Sequence, residues 1–287
     1  MAAVVFAVAG GALFGVLSIA IQLGLRRGAD PEAGALVSAC VGLSVAGVAA
    51  VVEWGEVHPA DLWPFVLAGF FVPGLSQIIY VKAIRDAGPA RASILVGTAP
   101  LISALIALTL LDEPWKSELL GATLLVVAGG AILARERTRP EHFRVLGVVL
   151  ALTCAAMFAG RDNLVRWAAR DAHPPALLAA ATSLLAAALA VSLYLLVFRR
   201  RGLVRKVRGA VSGFAPAGVA LGLAYCALVE AFDRGRVTVV APLNATQSLW
   251  AVVLSALLLR RTELVGRRVV AAGLLVVAGS AIVGAVR

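Results

Sequence analysis

Disulfide and metal chemistry have almost no material in this chain. Its three cysteines, Cys40, Cys154 and Cys226, are odd in number, each lies inside an apolar run, and none has CxxC or comparable ligand spacing. They read as small packing residues. The three histidines, His58, His142 and His173, lie between apolar runs without HExxH spacing, and no GxxxxGK[ST] loop is present. Neither a metal nor any other cofactor is expected. Charge is scarce too: 15% of the 287 residues are charged and 61% are hydrophobic, against roughly 25% and 45–50% in soluble domains. With a mean hydropathy of +0.95 there is too little polar surface to cover ordinary soluble cores, so lipid must be the solvent for much of the chain. The net charge of +10 comes from Lys and Arg in short clusters between apolar runs, which orients membrane proteins. It does not form the continuous patch that would bind nucleic acid. The basic stretch that opens a secretory signal is missing, so Met1 to Gly24 reads as a retained helix.

What is present is apolar sequence in lengths of about 20 residues, the span of a membrane helix. Ten such stretches start near residues 2, 33, 62, 90, 117, 145, 175, 210, 237 and 265. Barrel-type alternation is lacking, so the fold class is all-α and polytopic. The sixth stretch is interrupted by Arg161, Asp162 and Asn163. An internal repeat emerges: LLVVAGGAIL at Leu124 to Leu133 returns as LLVVAGSAIV at Leu274 to Val283, and GLSQIIYVKA at Gly74 to Ala83 aligns with GLAYCALVEA at Gly222 to Ala231. These matches predict two five-helix halves, 1–134 and 145–287, joined by a polar loop at 135–144. Because five is odd, equivalent loops should lie on opposite sides of the membrane. The charges agree, since Lys82 and Arg85 align with Glu230 and Asp233, the sign reversal expected of an inverted repeat. Of the 26 Lys and Arg, 19 fall in the odd-numbered loops, which places those loops in the cytoplasm and both termini outside.

A polar side chain inside a span costs free energy unless it faces protein or water, so such residues mark candidate sites. Helix one carries Ser18 and Gln22, helix three Gln77 and Tyr80, helix eight Tyr225, and helix nine Asn244, Gln247 and Ser248 on one face. They are candidate substrate contacts, with interhelical bonding as the alternative. Asp162 and Arg166 stand at i, i+4 and are expected to pair at the helix end, whereas the adjacent Arg161 points about 100° away. A coupling role for Arg161, Asp162 and Asn163 is the alternative. Pro100 within helix four, and Pro216 and Pro242 near the starts of helices eight and nine, are expected to kink or open the backbone, with Pro100 a candidate gate. Small residues at Gly11 and Gly15, and at Gly218 and Gly222, have the spacing for close helix contact. The two LLVVAG helices are apolar all round and suit either the outside of the bundle or a homodimer contact.

Taken together, these residues resemble the drug/metabolite transporter superfamily, specifically its ten-helix members built from two EamA domains. The resemblance rests on AIRDAGPARASILVGTAPLISALIALTLLDEP at Ala83 to Pro114, followed by the first LLVVAG helix, and on AFDRGRVTVV at Ala231 to Val240, followed by the second. It implies two inverted halves around a cavity lined by helices one, three, four, six, eight and nine, working by alternating access. It also picks out Glu113 and Glu263, just before helices five and ten, either as gates or as acids favouring the positive end of a helix. Family members usually keep both termini in the cytoplasm, whereas the charge bias here points outward. The expected function is a secondary transporter or exporter of a small polar or amphipathic metabolite, such as an amino acid, nucleoside or drug-like solute. Its expected place is the cytoplasmic membrane, with the solute and lipid as partners. A flippase for a lipid-linked group and a non-transporting scaffold or receptor are the alternatives. An enzyme is not expected, because no acidic pair or metal set lies within a span.

Overall fold

The computed structural model describes residues 1–53, 58–110, 117–136, 143–168, 174–235, 240 and 243–286, and among them every regular element is a helix. The main rods are α1 (Ala2–Arg26), α2 (Pro31–Ala50), α3 (Trp63–Ala87), α4 (Pro89–Val96 and Ala99–Leu110), α5 (Glu118–Ala134), α6 (Val145–Ala168), α7 (Ala176–Phe198), α8 (Leu203–Arg234), α9 (Leu243–Leu258) and α10 (Arg267–Val286). Seven of them, α1 to α4 and α6 to α8, are long and apolar enough to cross a membrane by length and composition. Two more, α5 and α9, are shorter apolar helices.

Local chemistry sets the starts and breaks. Asp30 caps α2: its Oδ1 accepts from the amides of Glu32 at 3.1 Å and Ala33 at 3.0 Å, and Pro31 opens the first turn. Gly88, at φ +84°, turns α3 directly into α4, where the inward carboxylate of Glu263 leaves no room for a β-carbon. Within α3 a π-turn at Phe70–Leu75 surrounds Pro73, and Val72 leaves helical geometry at φ −138°, ψ 112°. The break in α4 falls at Gly97 and Thr98, before Pro100, which therefore sits in the first turn of the second segment, where its missing amide costs nothing. Pro216 is not near the start of its helix: α8 begins at Leu203, because the basic stretch that reads as loop is helical. Pro242 and Glu113 lie outside the described residues.

Packing relies on small residues. Phe214 of α8 is fully buried, and a β-carbon on Gly24 of α1 would stand 2.8 Å from its ring. A β-carbon on Gly15 would meet Trp250 of α9 at 2.6 Å, and one on Gly222 would meet Val45 of α2 at 2.7 Å. The same contacts recur with the halves exchanged. At Gly129 an added β-carbon would lie 2.9 Å from the carbonyl of Ala272, and at Gly279 it would lie 2.8 Å from that of Ala122. Each glycine and its neighbour is 150 residues from its counterpart, so α5 and α10 pack antiparallel about a pseudo-two-fold axis. Similarly, α8 packs on α2 as α3 packs on α7, and α1 on α9 as α6 on α4. The small faces of α5 and α10 are thus filled by each other within one chain, and nothing here supports a homodimer through these helices. Leu120, Leu124, Leu189, Leu193 and Leu257 are all more than half exposed, forming an apolar outer surface for lipid to cover.

Candidate functional site

Inside the bundle, the break in α3 exposes a carbonyl that regular helix would have used. Val72 O accepts from Tyr225 Oη of α8 at 3.2 Å, and the same hydroxyl accepts from Arg161 Nη1 of α6 at 3.0 Å. Phe14 of α1 meets the Tyr225 ring edge-on at 6.2 Å, and the Arg161 guanidinium lies 5.5 Å from the centre of the Phe158 ring. Four helices, α1, α3, α6 and α8, therefore converge on one cation and one hydroxyl at membrane depth. Asp162 has a partner other than the one its spacing points to. It binds the adjacent Arg161, whose Nε donates to Oδ1 at 2.8 Å, because the long arginine side chain curls across the 100° step between neighbours. The side chain of Arg166 is outside what is described.

A second polar layer is built from the other sequence candidates. Tyr80 Oη and Ser93 Oγ are 3.0 Å apart and tie α3 to α4. Ser18 and Ser248 are fully buried and donate to their own helices, to Gly15 O at 2.7 Å and Ala245 O at 2.9 Å, so neither needs a ligand. Asn163 is a clamp: its Nδ2 donates to Ser103 Oγ at 2.9 Å and to Ala159 O at 2.9 Å, holding α6 on α4. Among the described residues, the other amide atom of that side chain, Asn163 Oδ1, is buried without a hydrogen-bond partner, as are Gln77 Nε2, Gln22 Oε1 and Asn244 Oδ1, and Gln247 is half-buried. Buried polar atoms of this kind are rare and expensive, which singles out Gln77, Gln22, Asn163 and Asn244 among the candidates. Cys154 and Cys226 are buried packing residues as expected, but Cys40 is exposed on the outer face of α2.

The largest departure from the sequence reading lies at the end of the bundle where the odd-numbered loops gather. Glu263 is not in the first turn of α10, which starts at Arg267, so it does not serve that helix's positive end. It turns inward, fully buried, and its Oε1 accepts from Gln22 Nε2 at 2.9 Å and pairs with Arg26 at 3.3 Å. Arg26 also reaches Thr262. Beside it, Arg91 of α4, only 1% exposed, holds Glu136 through two bonds of 2.8 Å and donates to the Glu263 carbonyl at 3.0 Å. This latch joins α1, α4, the second residue after α5 and the α9–α10 junction. Sequence reasoning missed Arg91 and Glu136 by counting them as loop charges. The available signal was their opposite sign at two loops predicted to share one side of the membrane. A second hub on the same end uses Glu32 of α2, which meets Lys82 at 2.6 Å, Arg199 at 2.7 Å and Tyr194 at 3.2 Å.

Among the described residues no group of three His, Cys, Asp or Glu could hold a metal ion. No curated protein matches the chain. One solved crystal structure of a protein superposes over 99% of each chain at 19% identity with a TM-score of 0.61, which shows a shared fold. A family model described as the EamA-like transporter family matches residues 1–135 and again 145–285. The all-helical bundle, its polar interior and this double match over nearly the whole length lead to one conclusion: the chain is a polytopic membrane protein that belongs to the EamA-like transporter family.

Proposed function

We propose that this transporter moves a small polar or amphipathic metabolite by alternating access. On this reading the halves 1–134 and 145–287 rock against each other about the α5–α10 contact, across the cytoplasmic membrane. The observation that carries the reading is the set of buried polar atoms without partners: Gln77 Nε2, Gln22 Oε1 and Asn163 Oδ1, in helices that also converge on Arg161 and Tyr225, and Asn244 Oδ1 on α9. A solute supplies the missing bonds when it binds. The antiparallel pairing of equivalent helices supports the rocking, because the latch of Arg26, Arg91, Glu136 and Glu263 closes one end only and must open for the solute to leave there. With no nucleotide site expected, the energy comes from a gradient.

Counterflow in proteoliposomes tests this, using labelled amino acids, nucleosides, sugars and cationic drugs. Accumulation of one class is expected, falling about tenfold or more in Gln77→Leu, because a hydrogen bond to a solute in a dry site is worth at least about 1.4 kcal/mol. Folded protein that moves none of these solutes would overturn the proposal.

A further inference from the structure

Where α7 gives way to α8, the sequence FRRRGLVRKVR packs six cations into eleven residues. Gly202, at φ +67°, reverses the chain between the two helices. The structure sorts these cations into two groups. Arg199 turns inward to Glu32 at 2.7 Å, and Lys206 reaches Asp30 at 3.3 Å, so these two are neutralised by the start of α2. Arg200, Arg205 and Arg208 have no ion pair or hydrogen bond among the described residues. Instead all three line one open groove of about 640 Å³, whose other walls include Leu196, Leu203 and Val204.

Three guanidiniums in one groove repel each other unless an anion joins them, and Arg205 and Arg208 share a face of α8 at i, i+3. The surroundings specify which anion. Leu196 is 51% exposed and Val204 65%, and the neighbouring Phe198 is 70% exposed. These belong to the apolar collar at the last turn of α7, a 23-residue helix whose length of about 35 Å slightly exceeds a bilayer core. The groove therefore sits at headgroup level, with cations on its water side and bare apolar side chains on its lipid side. At 32 residues, α8 is about 48 Å long, so its first turns run beyond the hydrocarbon and present Arg205 and Arg208 along the interface.

We infer that this groove binds the headgroup of an anionic phospholipid from the surrounding leaflet. The phosphodiester is held by Arg200, Arg205 and Arg208, and an acyl chain lies along Leu196 and Val204. A free phosphate would satisfy the charges but would leave the apolar wall uncovered. Because the groove joins the end of α7 to the start of α8, an occupied groove ties together two helices of the second half at the end where the buried latch lies.

Native mass spectrometry of the full chain in neutral detergent, with added phosphatidylglycerol, phosphatidylcholine or inorganic phosphate, tests the inference. Phosphatidylglycerol adducts are expected to form at lower concentration than phosphatidylcholine adducts, to weaken about fivefold for each of Arg200→Gln, Arg205→Gln and Arg208→Gln, and to weaken further in the groove triple that combines them. Arg205→Lys should retain most binding. The triple variant Arg135→Gln, Arg201→Gln, Arg267→Gln removes equal charge from exposed positions at the same end and should bind as the wild type does. Equal loss in that control would reduce the effect to general surface charge and overturn the site. Equal binding of the two lipids would do the same, as would displacement of phosphatidylglycerol by inorganic phosphate at matched concentration. Should the groove triple not fold, the single variants and the wild-type lipid competition still decide the matter.

Discussion

Arg91 and Glu136 illustrate how costly a half-broken contact becomes inside a membrane protein. Both are almost fully buried and face each other through two 2.8 Å bonds. Removing one partner takes two charge-assisted bonds from the other in a dry interior, which costs up to about 3–5 kcal/mol, whereas replacing both with apolar residues is milder. Arg91→Met should therefore lower thermal stability in detergent sharply, and Arg91→Met with Glu136→Leu should recover most of the loss. If the double variant is as unstable as the single, the contact is not the source of the effect. Asp30 offers a pH-dependent counterpart. Partial burial opposes its charge, but the Ala33 amide and the Lys206 ammonium outweigh that and hold its carboxyl below the ordinary value of 3.8. A depressed acid stabilises the fold above its ordinary pKa and loses that contribution as the pH falls through the lowered one. Asp30→Ala should cost about 1 kcal/mol at neutral pH by loss of the cap. Melting curves should show the gap to wild type closing only below about pH 3.8.

At the level of elements, the pairing of α5 with α10 predicts a symmetric mutational pattern. Gly129→Ala and Gly279→Ala each force a β-carbon to within 3 Å of the facing helix, whereas Gly130→Ala meets nothing within 4 Å. The first two should destabilise by similar amounts, about 1–3 kcal/mol, and the third should be neutral or slightly stabilising. Denaturation of the three variants in one detergent checks this. A large difference between Gly129→Ala and Gly279→Ala would contradict the pseudo-two-fold contact. In α3, the π-turn spends backbone hydrogen bonding to free the Val72 carbonyl for Tyr225. Tyr225→Phe removes both that bond and the one to Arg161, and should reduce counterflow more than it reduces stability.

For the whole molecule, charge and geometry make a joint statement. The latch, the Glu32 hub and the arginine groove all lie at the end where the odd-numbered loops gather, and 19 of the 26 Lys and Arg belong to those loops. Positive charge is retained on the cytoplasmic side. In a background without Cys40, Cys154 and Cys226, a cysteine placed at Arg201 should therefore react with impermeant maleimide only in inside-out vesicles. One placed at His58 should react in whole cells. The reverse result would invert the orientation and agree with the family habit of cytoplasmic termini. The alternating-access reading adds that solute should protect a cysteine at Gln77 from labelling, whichever side is correct.

Much of this protein was legible in its composition and periodicity. Lipid as solvent, helices as the regular elements among the described residues and a repeat of 150 residues all follow from apolar lengths and from the return of LLVVAG. These properties are local or periodic, so a linear reading captures them. The polar candidates read alike along the chain, and only the tertiary structure separated Ser18 and Ser248, whose hydroxyls bond their own helices, from Gln77, Gln22, Asn163 and Asn244, each of which keeps a buried atom unpaired. Whether a hydroxyl bonds its own helix or a neighbour depends on which backbone atoms come within 3 Å, and spacing along the chain cannot state that. The same holds for Arg91 with Glu136 and Gln22 with Glu263, 45 and 241 residues apart. Their pairing exists only once the helices are packed, because desolvation turns a scattered set of charges into one buried latch.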